Sequence, residues 1–434
     1  MDIKELYAVY LQHPVVTTDS RECPADSIFF ALKGATFDGN QYAASALEKG
    51  CAYAVVDEAQ YVEDDKFILV EDALKTLQEL AAYHRKQWGG TILQITGTNG
   101  KTTTKELIAA VLSKAHNVLY TKGNLNNHIG VPLTLLRITS ENDIVVVETG
   151  ANHPGEIAFL SKLVNADYGL ITNVGRAHLE GFGSFEGVKK AKGELYDDLK
   201  KRKACIFING MDDDLREMAA ERHFVMDETA IPYVEGRVEE CNPFLCVQWR
   251  EDDWKPWHTV KTHLVGAYNV TNVRAAITIG LQFGVSPEQI DEAIASYEPT
   301  NSRSEYRDTG RNQLILDAYN ANPTSMAAAL DNFSMIEAEH KMVILGDMRE
   351  LGEESYAEHR KIVERLAASK IETIWLVGTE FQKASEASNF SSQVSVFKDV
   401  EAVKEALGET PVEGRTILIK GSNGTRLFQL PELL

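Results

Sequence analysis

The chain has 434 residues, more than one hydrophobic core usually serves, so two or three domains are expected. Its 44% apolar and 25% charged residues are ordinary for a globular protein, and a net charge of −20 argues against nucleic acid or an anionic membrane as the main partner. No apolar run is long enough to span a membrane, and the opening MDIKELYAVYLQHP lacks the basic-then-apolar pattern of a secretion signal. The five cysteines (Cys23, Cys51, Cys205, Cys241, Cys246) form no C-x-x-C pair. Such a scattered, odd set suits a reducing compartment, and a cytoplasmic location is expected.

Residues 1–90 predict a small α/β unit. SIFFAL and YAVV are β-rich runs, NQYAASALEKG between them has helical spacing, and DALKTLQELAAYHRKQW is an amphipathic helix stopped by Gly89-Gly90. Residues 91–298 change texture. TILQITG, DIVVVETG, YGLITNVG and KACIFING are continuous apolar runs ending in glycine with helical stretches between, which predicts a parallel sheet covered on both faces. FLCVQWRE and WHTVKTHLVG alternate and predict a β-rich insert, followed by the helix NVTNVRAAITIGLQFG. YEPTNSRSEYRDTG is polar and turn-rich and marks a second boundary. Residues 299–434 then predict another α/β unit, with strands in NQLILDAYNANP, KMVILGDM, IETIWLVG and RTILIKGS and helices in SMAAALDNF and YAEHRKIVERLAA. Ligands of such sheets bind at the carboxyl ends of strands.

One of those ends is QITGTNGKTTTKE, residues 94–106. A strand, a glycine turn, Lys-Thr and a helix are the context of a phosphate loop. The usual G-x-x-x-x-G-K-[ST] would place its first glycine where Ile95 stands, so the turn starts instead at Gly97. Gly97, Thr98, Asn99 and Gly100 can turn backbone N–H groups toward an anion at the helix N-terminus. Lys101 can reach the β- and γ-phosphates, with Thr102 on Mg²⁺ and Thr103 beside it. The loop alone names no phosphate acceptor. Motor, kinase and GTPase chemistries stay open at this point, although N-K-x-D, the guanine signature, is absent.

GTNGKTTT followed by GNLNNHIGVPLTLL (123–136) closely resembles the Mur ligase family, which uses ATP to build the peptide of cell-wall precursors. VVVETGANHPGEI (145–157), TNVGRAHLEGFGSFEGVKKAKGELY (172–196), GAYNVTNVRAA (266–276), LDAYNANPTSMAAAL (316–330) and LGDMRELGEES (345–355) look like the branch that adds D-alanyl-D-alanine to UDP-N-acetylmuramoyl-tripeptide. TTDSRECPADSIFFALKGATFDGNQYAASALEKGCAYAVVDE (17–58) resembles the family's uridine-nucleotide domain. The resemblance spans the whole chain. It implies three α/β domains: a UDP-substrate domain (1–90), a central ATP-binding domain (91–298) and a Rossmann-like C-terminal ligase domain (299–434). Diamino-acid-adding and folylpolyglutamate-forming ligases are the alternatives within the superfamily.

The resemblance further implies ATP and two Mg²⁺ ions, with an acyl phosphate on the path to the amide and a monomeric enzyme. Glu148 would ligate the first Mg²⁺ with Thr102, and His178 the second. Lys192, rather than Lys189 or Lys190, matches a lysine carbamylated by CO₂. Asn269 matches an adenine contact, Arg303 an arginine reaching the γ-phosphate, Asp317 an acidic residue on the ribose, and Asn320 and Asn322 the nucleotide or dipeptide site. Ser20, Arg21, Asn126 and Asn127 match contacts to the uridine substrate.

Overall fold

The computed structural model describes residues 1–300, 302–386 and 393–434. Four sheets organise them, and three are parallel or nearly so, the central one as its sequence pattern predicts. The N-terminal sheet pairs Val16–Thr17, Ile28–Phe30, Tyr53–Val56 and Phe67–Leu69 in that order, all parallel. Helix Ala73–Trp88 closes this domain. Asp72 caps its start, and Gly89 ends it at φ 69°, a left-handed cap that glycine adopts without strain. The helix also ties the domain to the next one, since buried Arg85 donates to Val164 O at 3.2 Å and to Asp167 Oδ2 at 3.0 Å.

The central sheet has six parallel strands in the order Ala230–Pro232, Cys205–Ile208, Tyr168–Ile171, Thr91–Thr96, Ile144–Glu148 and Val118–Tyr120. Ile92, Leu93, Ile95, Val145, Val146 and Val147 have no exposed surface. Burial on both faces is why these strands read as unbroken apolar runs rather than alternating ones. The alternating segments form a separate antiparallel sheet of Glu235–Cys241, Phe244–Arg250 and His258–Val265.

The C-terminal sheet runs Glu305–Asp308, Gln313–Asp317, Thr416–Lys420, Lys341–Gly346, Thr373–Val377 and Gln393–Phe397, with only the first strand antiparallel. Glu305–Asp308 lies in the segment whose polarity predicts only turns. It is an edge strand, and its Tyr306 and Arg307 are half-buried, so no apolar run marks it. No helix among the described residues is long and apolar enough to cross a membrane, and all five cysteines are free thiols.

Candidate active site

The carboxyl ends of the central and C-terminal sheets open onto one cavity of about 940 Å³. Lys101, Glu148, His178, Asn269 and Asn126 line it from the central domain, and Arg303, Asp317, Asn320 and Lys420 from the C-terminal domain. This is where an open α/β sheet holds its ligand.

The loop after Thr91–Thr96 is built around absent side chains. Gly97 has φ 143°, and a Cβ there would lie 2.0 Å from Thr172 Oγ1 and 2.9 Å from Thr172 N. Gly100 has φ 76°, and its Cβ would meet Asn272 Oδ1 at 2.7 Å. Thr104 N–H donates to Gly100 O at 2.8 Å, so the N–H groups of Lys101, Thr102 and Thr103 lie ahead of the first helical bond, at the N-terminus of helix Lys101–Leu112. Asn173 braces the loop, accepting from Asn99 N–H at 3.0 Å on Oδ1 and donating to Asn99 O at 3.0 Å. Thr98 Oγ1 accepts from Gly175 N–H at 3.0 Å. Lys101 Nζ donates to Gly97 O at 2.9 Å and Thr98 O at 3.0 Å, folded back over the turn. Desolvation lowers its pKa to about 8, against the pull of Glu148.

Glu148, the last residue of its strand, is fully buried. It accepts from Thr102 Oγ1 at 2.9 Å and Asn126 Nδ2 at 2.8 Å, and Lys105 Nζ lies 3.7 Å away. A hydroxyl and a carboxylate converging beside a helix N-terminus form a hard-oxygen set suited to Mg²⁺ next to a phosphate. Among the described residues no three His, Cys, Asp or Glu side chains form a ready-made metal cluster. The cavity also holds an orphaned donor. Arg303 stacks over the Tyr319 ring at 3.8 Å, and among the described residues its buried Nε has no partner. A buried unpaired guanidinium N–H facing a phosphate loop fits a polyanionic ligand.

Lys192, on helix Phe185–Arg202, is buried with its Nζ 3.4 Å from Ala151 O and 5.4 Å from the Phe182 ring. Among the described residues no carboxylate bonds it. Desolvation, and then the charge of Lys101, lowers its pKa to about 7. His178 caps helix Leu179–Phe182 in a left-handed conformation, φ 52°, and its Nδ1 bonds Glu350 of the C-terminal domain.

Several asparagines have their side chains engaged. Asn269 donates to Val265 O and Ser304 Oγ and accepts from Asn272 Nδ2. Asn127 Oδ1 accepts from Ile129 and Gly130 N–H at the start of helix Gly130–Leu135. Asn322 lies outside the cavity lining. Its Oδ1 caps helix Pro323–Met335 through Ser325 N–H at 2.9 Å, and its Nδ2 donates to Asn99 Oδ1 at 2.7 Å. It is a joint between the phosphate loop and the C-terminal domain. Asn320 Oδ1 accepts from Ala321 N–H. Thr103 is buried and lines the cavity. Asp317 is held by buried Lys420 at 2.5 Å. Ser20 and Arg21 lie on the N-terminal domain away from this cavity, with Arg21 paired to Asp19 at 2.6 Å.

Lys105, Lys420, Tyr319 and Glu350 escape a reading of the sequence alone. Lys105 carried the only usable signal, four residues after Lys101 and so on the same helix face.

Three profiles cover the chain. They are the Mur ligase family, catalytic domain, at residues 14–87, the Mur ligase middle domain at 95–280, and the Mur ligase, glutamate ligase domain at 302–423. A Bacillus subtilis protein named UDP-N-acetylmuramoyl-tripeptide–D-alanyl-D-alanine ligase is 34% identical over 96% of this chain and 92% of its own. The chain belongs to the Mur ligase family. An Escherichia coli protein of the same name is 33% identical to this Mur ligase, over 99% of this chain and 95% of its own. Among solved structures, MurF from Acinetobacter baumannii superposes with a TM-score of 0.84 at 30% identity, covering 96% of this chain and 92% of that one. MurF ligase from Thermotoga maritima in complex with ADP gives 0.83 at 25% identity, covering 98% and 97%.

Proposed function

We propose that this Mur ligase joins D-alanyl-D-alanine to UDP-N-acetylmuramoyl-tripeptide with ATP, giving ADP, phosphate and the UDP-linked pentapeptide of peptidoglycan. The observation that carries the reading is the cavity in which a phosphate loop, a buried carboxylate and an arginine from a second domain, its Nε without a partner among the described residues, converge. The near full-length likeness to D-alanyl-D-alanine ligases supports the choice of substrates.

In the first step a substrate carboxylate oxygen attacks the γ-phosphorus, and the bond to ADP breaks. In the second, the dipeptide amine attacks the acyl carbon, the ammonium proton is lost, and the tetrahedral intermediate collapses to an amide with phosphate leaving. Both steps bring anions together, so the chain must neutralise and position them. Gly97, Thr98, Asn99, Gly100 and Thr103 cradle the phosphates, and Lys101 leaves its loop carbonyls for the β- and γ-phosphates. Arg303 takes the transferring group. Asn269 and Asp317 hold adenine and ribose, with Asn320 beside them. Thr102 and Glu148 would hold one Mg²⁺, and His178 with carbamylated Lys192 a second, which together supply charge neutralisation between carboxylate and triphosphate. Ser20, Arg21, Asn126 and Asn127 face the uridine substrate, and Asn322 couples the phosphate loop to the C-terminal domain. Domain boundaries near residues 90 and 298, a monomeric state and a cytoplasmic location belong to the same reading.

The test is ADP release with each substrate omitted in turn, using both lysine- and diaminopimelate-containing tripeptides. Release that requires both tripeptide and dipeptide is expected. Release without either points to a different phosphate acceptor. Activity of a single diamino acid on the UDP-dipeptide points to a sister ligase.

A further inference from the structure

Two non-glycine residues in left-handed backbone conformations meet across the boundary between the central and C-terminal domains: His178 at φ 52° and Glu350 at φ 63°. Such conformations persist only where the surroundings hold them. Here the hold is bilateral. Glu350 Oε2 bonds His178 Nδ1, and Glu350 O accepts from Glu180 N–H at 3.2 Å. Next to this pair, Arg176 Nη1 reaches Glu354 at 3.0 Å, and Arg176 N–H donates to Thr324 Oγ1 at 3.2 Å. One short stretch of the central domain is thus fastened side chain and backbone to the C-terminal domain. Among the described residues, His178 Nε2 has no hydrogen-bond partner, while His178 lines the cavity.

A carboxylate can only accept. Its bond to Nδ1 therefore fixes the proton there and leaves the lone pair on Nε2. We propose that Glu350 is a positioning residue that sets the tautomer and ring orientation of His178, and that it does so only when the C-terminal domain is docked. Domain docking then completes the cavity twice, by bringing Arg303 in and by making Nε2 the free nitrogen of His178. This rests on the ligase reading above and adds a residue of the C-terminal domain to the site.

The experiment uses the full chain labelled with ¹⁵N-histidine, in the presence of ADP and without divalent cations, at a pH well above ordinary imidazole titration. The His178 signals are assigned by their loss in His178→Gln. Wild type is expected to show the Nδ1–H tautomer alone, Glu350→Ala a mixture of both, and Glu350→Gln, whose amide oxygen accepts the same bond, mainly Nδ1–H. In the ligase assay, Glu350→Ala is expected to raise the Mg²⁺ concentration for half-activation by about 10–100-fold, with Glu350→Gln restoring most of it. Half of the Glu350 side chain is exposed, so both variants are expected to fold. An unchanged His178 tautomer in Glu350→Ala, or a loss in Glu350→Gln equal to that in Glu350→Ala, overturns the proposal. The tautomer measurement requires no turnover. Absence of ligase activity in the wild type would therefore overturn the functional reading and leave this one standing.

Discussion

The lysine at 192 allows the most demanding prediction. An ordinary lysine amine titrates near 10.5, and burial lowers that of Lys192 to about 7. At pH 7.5 the neutral fraction rises from about one in a thousand to about three in four, a gain of several hundredfold in the only form that attacks CO₂. On the proposed reading, the neutral nitrogen would bond the carbon of CO₂ and lose a proton, giving an anionic carbamate in place of the buried amine. The chain incubated with ¹³C-bicarbonate is expected to show a carbamate carbon resonance that Lys192→Ala lacks. Lys192→Ala is expected to lose activity, and a small added carboxylic acid to restore part of it. The same shift has a sign for stability. Between about pH 7 and 10.5 the unfolded lysine binds a proton that the folded one does not. In CO₂-free buffer, stability therefore rises with pH across that window by up to ~1.4 kcal/mol per unit from this group, a slope absent in Lys192→Met. The reasoning is refuted by equal slopes in the two proteins, or by full activity in Lys192→Ala.

Gly97→Ala puts a methyl group 2.0 Å from Thr172 Oγ1 at a left-handed φ, and is expected to cost about 1–3 kcal/mol in urea unfolding and to abolish stabilisation by ADP. An unchanged ADP-induced Tm shift contradicts the loop geometry. Lys101→Ala is expected to fold and to release no ADP under substrate saturation; normal turnover removes the phosphate-loop assignment. Asn322→Ala removes a helix cap and an interdomain bond, together about 1–3 kcal/mol. A double-mutant cycle with Asn99→Ala is expected to return a coupling of about 0.5–1.5 kcal/mol, and additivity would mean the two amides do not interact. Lys105→Met removes a cation 3.7 Å from Glu148 that competes with Mg²⁺ for the carboxylate, and is expected to lower the Mg²⁺ concentration for half-activation more than it changes the KM for the dipeptide.

The phosphate loop and the central parallel sheet were legible because each leaves a local pattern: apolar runs ending in glycine, then Gly-Lys-Thr at a helix start. Glu148 and His178 were legible as strand-end and loop residues within recognisable segments. The edge strand Glu305–Asp308 was not, since a half-exposed polar strand carries no period-2 contrast. The double duty of Asn322 was hidden for another reason. A cap before proline is visible in sequence, but its bond to Asn99 spans 223 residues. Lys420 and Glu350 share that difficulty. Each acts across the tertiary structure on a partner, Asp317 or His178, that nothing local identifies.

The central claim is that the γ-phosphate passes to a peptide carboxylate rather than to water. The measurement that tests it most directly labels the reacting carboxylate of the UDP-linked tripeptide with ¹⁸O and follows the released phosphate by mass. The account predicts one ¹⁸O in the phosphate for each amide formed with D-alanyl-D-alanine. Phosphate without the label, at a normal rate of amide formation, would contradict it.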